Sequence, residues 1–579
     1  MHDQQKHPEQ QIKNLADQPL PDYSQLMETA RSTASEISIG QSLFLKTHGC
    51  TSELDYKRQC MRDGRIMYHA HIGMNDMDST ARGLRELHRH LDQQGFRMDR
   101  AGFALDRRMG LPSDLWVSTA AETGPMLENQ QDWSALAQSA PIQPHLGDFM
   151  IGQPASFSNT VQALRIGCTT VGNLSQFFTF EAPGWDDQLA TSVETLKAIT
   201  LLSEFREQGT MLHSYLEDGY GALFKQCATV AAWAMLEYYI VEELLGAKLS
   251  HCIGGLTSDP IKRAGWVLAL QKIHRGDQVG SMIYGDTISF GSDFDKNRAV
   301  VSEYLLWDIL MQMYSPSGHA VLPLPVTEAI RIPSAEEIIE AQCFGRQIEQ
   351  SARRLYPHVN FSAAEAFADR VCRDGKVIFD NALSGLKQCG VDLSNPLQLL
   401  YVLKRIGAQT FEGLFAKNTQ SCDPTDMYLL SQQVIDNYRP MFESSELIEK
   451  VKGKRLMLAS TDVHEHAIGA LAQLLSEAGA EVTNLGSEQS PDQVAESLSR
   501  HHYDALLLST HNGMALDYGK QLRLILDKES IDLPVLMGGV LNQKVENEAL
   551  PVDVVDDLKQ LGINPAVGLP NLSKLLSSQ

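Results

Sequence analysis

The chain has 579 residues, enough for at least two domains with sizeable cores. It is 43% hydrophobic and 21% charged, the balance of an ordinary globular protein, and its net charge of −23 excludes a broad attraction to nucleic acid or to an anionic membrane. Its nine cysteines are scattered, with no Cys-x-x-Cys pair, and no segment is apolar for long enough to span a bilayer; with a polar, Gln-rich N-terminus in place of a secretory signal, the expected compartment is the cytoplasm.

In chain order, residues 1–45 are polar, carry Pro8, Pro19 and Pro21, and read as a flexible N-terminal arm. From 46 to 345, short apolar runs alternate with helical patterns. The strand candidates are Arg65–Gly73, Gly95–Phe103, Leu115–Ala120, Asp148–Gly152, Thr169–Leu174, Thr210–Leu216, Leu249–Gly254, Ser281–Thr287 and Ala320–Leu324. Between them, Thr195–Gln208 sets Leu196, Ile199, Leu202 and Phe205 on one helical face. This count suits a (β/α)8 TIM-type barrel with one false strand or one edge addition; two stacked α/β units are the competing architecture. Residues 346–452 are helix-rich and read as a helical extension and linker, the joint falling near Lys450 to Lys454.

Residues 453–579 change pattern. The run Arg455–Ser460 leads into Thr461-Asp462-Val463-His464-Glu465-His466, and a helix with apolar Ile468, Leu471, Leu474 and Leu475 follows. Strand and helix then alternate: Ala480–Gly486, Pro491–His501, Asp504–Thr510, a helix bearing Leu522 and Leu526, and Pro534–Val540 with the pair Gly538-Gly539. That alternation predicts a doubly wound parallel sheet that binds ligands at the carboxyl ends of its strands. Asp462 and His464, two residues apart between a strand and a helix, suit a metal-ligand turn in which the carboxylate orients the imidazole; taken alone, the pattern favours a helix cap and an ordinary loop histidine.

Asp462, His464, Ser509-Thr510 and Gly538-Gly539, in that order, resemble the cobalamin-binding domain of the adenosylcobalamin mutases and of cobalamin-dependent methionine synthase. The resemblance implies that His464 is the lower cobalt ligand, that Asp462 orients it, and that Thr461, Ser509, Thr510, Gly538 and Gly539 line the slot for the cofactor tail. Ala467 stands where the family has a glycine. A longer resemblance, over about 65–345, is to the large subunit of glutamate mutase, carried by Ile66–Gly73, Gly152-Gln153-Pro154, Glu204–Gly209 and above all Thr327-Glu328-Ala329-Ile330-Arg331-Ile332-Pro333. It implies that a barrel mouth closes over the corrin, that Glu328 holds the ribose of the adenosyl group, and that the chain is a homodimer. The substrate clamp departs from that family. His71 and Met150 stand at two of its three arginine positions, Arg107 or Arg108 falls near the third, and Leu324 replaces a lysine.

The resemblance therefore implies an adenosylcobalamin-dependent radical isomerase whose small carboxylic or amino acid substrate is not glutamate. A corrinoid methyltransferase and a non-catalytic cobalamin-binding protein are the alternatives. His71, with His69 on the same strand face, is an acid–base or substrate-binding candidate or one of two core histidines. Arg107 and Arg108 are clamp candidates or a solvated turn; Glu328 is a nucleoside contact or a helix-start carboxylate. Glu217 and Asp286, near strand ends, are further polar candidates.

Overall fold

The computed structural model describes the chain except residues 1–7, 120–123, 421–422, 444, 462–465, 487–488, 511–512, 544, 546–550 and 567–579. It is a mixed α/β protein with parallel sheets, and it divides into two compact units, Met1–Asp426 and Met427–Gln579.

The first unit holds strands β1 (Met67–Ile72), β2 (Arg100–Phe103), β3 (Gln143–His145), β4 (Thr170–Val171), β5 (Met211–Tyr215), β6 (Leu249–Ile253), β7 (Met282–Ile283) and β8 (Ala320–Val321). They form two four-stranded parallel sheets, ordered β3-β2-β1-β8 and β4-β5-β6-β7. A parallel bridge from Leu146 to Val171 joins β3 to β4. Just before β7 and β8, the Gly280 amide donates to the Ser317 carbonyl at 2.8 Å and Ser317 Oγ donates to the Ser281 carbonyl at 2.8 Å. Strands covered by helices must be apolar on their outer face, and the long helices supply the cover: Cys227–Tyr238 and Pro260–Ile273 both pack against Ser362–Gln388, around the buried Trp233 and Trp266.

Three expectations need correction here. Residues 8–36 are no loose arm. Helix Pro8–Ala16 buries Ile12 against Pro396–Ile406, and helix Tyr23–Glu36, capped by Asp22, buries Met27 and Ala30 against Gln188–Glu204. Residues 113–118 form a 3₁₀ turn and not a strand, because Pro112 starts local i→i+3 bonding (Leu115 amide to Pro112 carbonyl, 3.0 Å) and the Trp116 indole donates back to the Leu111 carbonyl. The third strand is Gln143–His145, which makes Asp148–Gly152 the loop after it.

In the second unit β9 (Arg455–Ser460), β10 (Glu481–Asn484), β11 (Ala505–Thr510), β12 (Val535–Gly539) and β15 (Ile563–Ala566) form one parallel sheet ordered β10-β9-β11-β12-β15, beside a hairpin of β13 (Asn542–Gln543) and β14 (Val552–Asp553). Alternation along the strands feeds two cores. Leu456, Leu458, Leu507 and Leu536 point to one face; Met457, Leu506, Leu508, Val535 and Met537 point to the other. Helices cover both faces, so the sheet is doubly wound. Ile435, Phe442, Leu447 and Val451 belong to the first of these cores. The helices Asp426–Phe442 and Ser445–Val451 are thus part of this unit, and the segment around Lys450 to Lys454 is a helix end turning into β9, not a linker.

Candidate functional site

Parallel strands present their working side chains at their carboxyl ends. On β1, His69 and His71 share a face, with His69 in register with Arg100 of β2, and His71 with Gly102, which in turn faces His145 of β3. The rings meet inside the unit: His69 is 4.9 Å from His71 and 6.2 Å from His145, and His145 is 4.8 Å from His213 of β5. Nearer the strand ends, His71 lies 5.3 Å from Tyr284, which stacks on Tyr215 at 5.0 Å. Gly255 makes that stack possible, since a Cβ there would stand 2.0 Å from the Tyr215 hydroxyl.

Burial keeps these imidazoles neutral. It pushes His69, His145 and His213 well below the ordinary 6.5, with the Arg100 charge acting in the same direction, and it takes the half-buried His71 down to about 4. His69 Nδ1 lies 3.2 Å from the Arg100 carbonyl, which can only accept, so the proton sits on Nδ1 and Nε2 carries the lone pair. That Nε2, His145 Nδ1 and His213 Nδ1 are buried and make no hydrogen bond to the protein. Among the described residues, no group of three or more His, Cys, Asp or Glu is arranged to hold a metal ion.

Two carboxyls stand at the strand ends. Asp148 follows β3 and precedes Phe149, whose φ of 57° is in the left-handed region; the Phe149 amide donates to Gln176 Oε1 at 3.1 Å, and Gln176 Nε2 donates to Asp148 Oδ1 at 2.9 Å. Burial raises Asp148 to about 6 against that favourable bond. Glu328, in the turn after β8, is half-buried; burial and the Glu337 charge raise it to about 7. Burial, then the charges of Glu328 and Asp148, push the Tyr284 hydroxyl well up, so both carboxyls act on that ring.

The cations nearby are engaged. Arg108 is held by Asp106 through Nε and Nη2 at 2.9 and 3.0 Å, and Arg107 Nη2 donates to the Glu181 carbonyl at 3.0 Å. Arg263 pairs with Asp308 and donates to three carbonyls. At the amino ends of the strands, Glu53 Oε1 lies 3.0 Å from Arg100 Nε and 3.3 Å from Lys57 Nζ, all three side chains at most 2% exposed.

Of the expected residues, His71 meets the Tyr284 ring, and the Glu328 charge raises the Tyr284 hydroxyl. Arg108 closes its own loop as counter-ion to Asp106. Glu217 is a structural staple: it accepts from the Gly254 and Leu256 amides and from Thr257 Oγ1 at 2.6, 3.1 and 2.9 Å. Asp286 accepts from the Ser289 amide. Asp148, Tyr215, Tyr284 and the deeper His145 and His213 were not anticipated.

In the second unit, Ser460, Ser509 and Gly538 stand side by side at the carboxyl ends of β9, β11 and β12, with Thr510 opposite Gly539. The Thr461 amide donates to the Ser509 carbonyl at 2.9 Å, and Ser509 and Thr510 are buried. Gly539 has φ 95°, and a Cβ there would be 2.2 Å from the Thr510 carbonyl oxygen; one on Gly538 would be 2.9 Å from that of Ala566. Asp462 and His464, the expected metal ligand and its orienter, lie outside the described residues, as does the side chain of Ala467.

Residues 456–557 match the family model of the B12 binding domain. The matched stretch begins in β9 and takes in β10, β11, β12 and the hairpin. No curated protein matches the chain. A solved structure, that of a novel cobalamin-binding protein from Desulfitobacterium hafniense DCB-2, is similar at 15% identity over 49% of this chain and 98% of that one; its TM-score of 0.18 does not establish a shared fold.

The B12-binding domain is suited to a corrinoid where the structure describes it. The edge that would face the cofactor is built of serine, threonine and glycine, whose small side chains leave the backbone open to close approach. Gly469, on the helix that follows the Asp462-to-His464 segment, has nothing among the described residues within 4 Å of the place a Cβ would occupy.

Proposed function

We propose that the chain is an adenosylcobalamin-dependent radical isomerase that rearranges a small carboxylic or amino acid. The observation that carries this reading is a B12-binding domain in one chain with an eight-stranded parallel unit whose strand ends bring together the rings of His71, Tyr215 and Tyr284. The eight strands close, on this reading, as a (β/α)8 barrel. Their sequential order, the Leu146–Val171 bridge and the hydrogen bonds linking the segments before β7 and β8 support that closure.

When bound, adenosylcobalamin supplies the homolytic carbon–cobalt cleavage that starts hydrogen abstraction. His464 is the proposed cobalt ligand and Asp462 its orienter; Thr461, Ser509, Thr510, Gly538 and Gly539 line the cofactor tail. In the barrel, Glu328 holds the adenosyl ribose, His71 offers a neutral imidazole as a hydrogen-bond partner at neutral pH, and Tyr215 with Tyr284 shields the reacting carbon from water. Arg107 is the remaining arginine candidate for a carboxylate. A homodimer in the cytoplasm goes with this reading.

Titration of the full chain with adenosylcobalamin tests the first half: binding should shift the cofactor spectrum to the histidine-bound form, and His464→Ala should abolish the shift. Anaerobic incubation of loaded protein with small acids and amino acids tests the second. Substrate-dependent exchange of hydrogen with the adenosyl 5′ carbon supports the isomerase. Demethylation of methylcobalamin supports a methyltransferase instead, and tight binding without either activity a carrier.

A further inference from the structure

At the amino ends of β1, β2 and β8, opposite the strand ends described above, the first unit has a second cleft, lined by helices Glu53–Asp63 and Ala335–Leu355. We infer that it binds a phosphate monoester with an aromatic or apolar body, the phosphate on Arg65, Arg97 and Arg353 and the body in the adjoining cavity. Nothing in this site depends on the isomerase reading, which concerns the carboxyl ends of the strands.

One cavity, of about 100 Å³, is walled by four arginines, Arg65, Arg97, Arg346 and Arg353, and by two acids, Asp99 and Glu349. On a chain of net charge −23 such a gathering of cations is a local feature. Both acids are committed. Asp99 accepts from the Tyr56 hydroxyl at 2.6 Å and the Tyr68 amide at 2.8 Å; Glu349 accepts from the Tyr68 hydroxyl at 2.9 Å, from Arg346 at 3.2 Å and from Arg353 at 2.7 Å. Arg346 is also spent, lying over the Tyr68 ring and donating to the Arg97 carbonyl at 2.8 Å. The other three keep N–H groups to give. The Arg97 guanidinium, 3.6 Å from Asp99, donates no hydrogen bond among the described residues. Arg65 reaches the Tyr56 hydroxyl only at 3.5 Å through Nη1, and its Nε, 3.3 Å from Asp63, is buried without a hydrogen bond. Arg353 engages Nε and Nη2 with Glu349 and the Gly64 carbonyl, leaving Nη1. Guanidinium forks match phosphate oxygens bidentately, and the two positive charges left over by the lining acids balance a monoester of about −2.

The adjoining cavity, of about 240 Å³, shares Arg65 and Arg353 with the first and has no acid in its wall. Met61, Ile66, Met313 and Tyr356 make much of that wall apolar, which suits the body of an ester and not a second ion. Gln312 and His319 line it too, and each has unpaired groups. Gln312 Oε1 accepts from the Ser317 and His319 amides at 3.1 and 3.3 Å while its Nε2 finds no acceptor, and neither ring nitrogen of the 2% exposed His319 has a partner. Buried polar groups in that condition are costly until a ligand or a water pairs them, so a body with one polar edge gains there.

Calorimetry on the full chain with phenyl phosphate, inorganic phosphate and phenol tests both halves of the site. Phenyl phosphate should bind at least about tenfold more tightly than inorganic phosphate, and phenol more weakly than either. Arg97→Gln should weaken both phosphates by about fivefold or more, and Arg97→Glu should weaken them further. Arg500→Gln, at an exposed arginine of the second unit, should change neither. The Arg97 side chain is 45% exposed and donates no hydrogen bond among the described residues, so both of its variants should unfold at the parent's temperature; if Arg97→Glu does not, Arg97→Gln decides alone. The cobalamin titration of Arg97→Gln should match that of the parent, as expected of a site apart from the corrinoid. No binding of phenyl phosphate, inorganic phosphate or phenol binding as tightly as phenyl phosphate, or phosphate affinity unchanged by substitution of Arg97 overturns the inference.

Discussion

Substituting Glu53 with glutamine should cost the first unit about 3–5 kcal/mol, as removal of one partner from a fully buried ion cluster does. The structure sets where in that range the cost falls. Glu53 is 0% exposed and is shared by Arg100 at 3.0 Å and Lys57 at 3.3 Å, both 2% exposed, so the variant leaves two buried cations without their carboxylate. Lys57 keeps the Gly318 carbonyl, at 2.8 Å, and burial already lowers its affinity for a proton, so it can shed its charge. Arg100 cannot, and the expected loss is therefore about 3 kcal/mol. Trp116, Trp133, Trp185, Trp233, Trp266 and Trp307 all lie before residue 427, so tryptophan emission during urea unfolding reports on this unit alone. A loss below about 1 kcal/mol at unchanged urea dependence would refute the reasoning. Adding Arg100→Met to Glu53→Gln should restore at least part of the stability, because the residual charge is then gone. The pH dependence has a definite sign. Burial opposes ionisation of Glu53, but Arg100 and Lys57 hold its carboxyl below the usual range. Its contribution is therefore present above about 4.5 and fades as pH falls through the lower folded value.

Other expectations follow from the same geometry. His71, taken down to about 4, favours folding above about 6.5 and loses that contribution as pH falls through about 4, at no more than about 1.4 kcal/mol per pH unit and less for its partial exposure; the stability gap between the parent and His71→Asn should narrow from pH 7 to pH 5 in the same emission assay. Glu328, raised to about 7, has the opposite sign, so its contribution is full below about 4.5 and lost as pH rises through about 7, and Glu328→Gln should gain on the parent between pH 6 and pH 8. Gly539→Ala puts a methyl 2.2 Å from the Thr510 carbonyl at a left-handed φ; faster hydrogen exchange at Thr510 and weaker cobalamin binding are expected, with tryptophan emission unchanged. Gly255→Ala displaces the Tyr215 hydroxyl and should disturb the Tyr215–Tyr284 stack, read as a change in near-ultraviolet circular dichroism, without altering the cobalamin spectrum.

The doubly wound sheet was legible because its strands are buried on both faces and read as unbroken apolar runs, Leu456–Ala459 and Ala505–Leu508 among them. In the first unit, the strands rich in β-formers were legible and Gln143-Pro144-His145 was not, since a proline at its centre hides a three-residue strand. That one shift also hid the site. With the strand placed at Asp148–Gly152, Asp148 reads as a strand residue; with the strand ending at His145, it is a strand-end carboxyl. His69 and His71 stood out by their spacing, whereas His145 and His213 come from β3 and β5, two strands that do not pair, and only their ring contact in the fold brings them together. Tyr215 and Tyr284 are single aromatics at strand ends, and nothing local distinguishes them from core.

The helices Asp426–Phe442 and Ser445–Val451 bear on how the protein can be cut. A fragment begun at 453, where the strand pattern starts, would strip Ile435, Phe442, Leu447 and Val451 from one side of the cofactor-binding sheet and leave Leu456, Leu458 and Leu475 facing water. A fragment begun at 427 keeps that cover. Expressed side by side, the shorter piece should aggregate and the longer one should stay in solution and take up cobalamin by itself, making the corrinoid unit a portable module with its own N-terminal helical clasp.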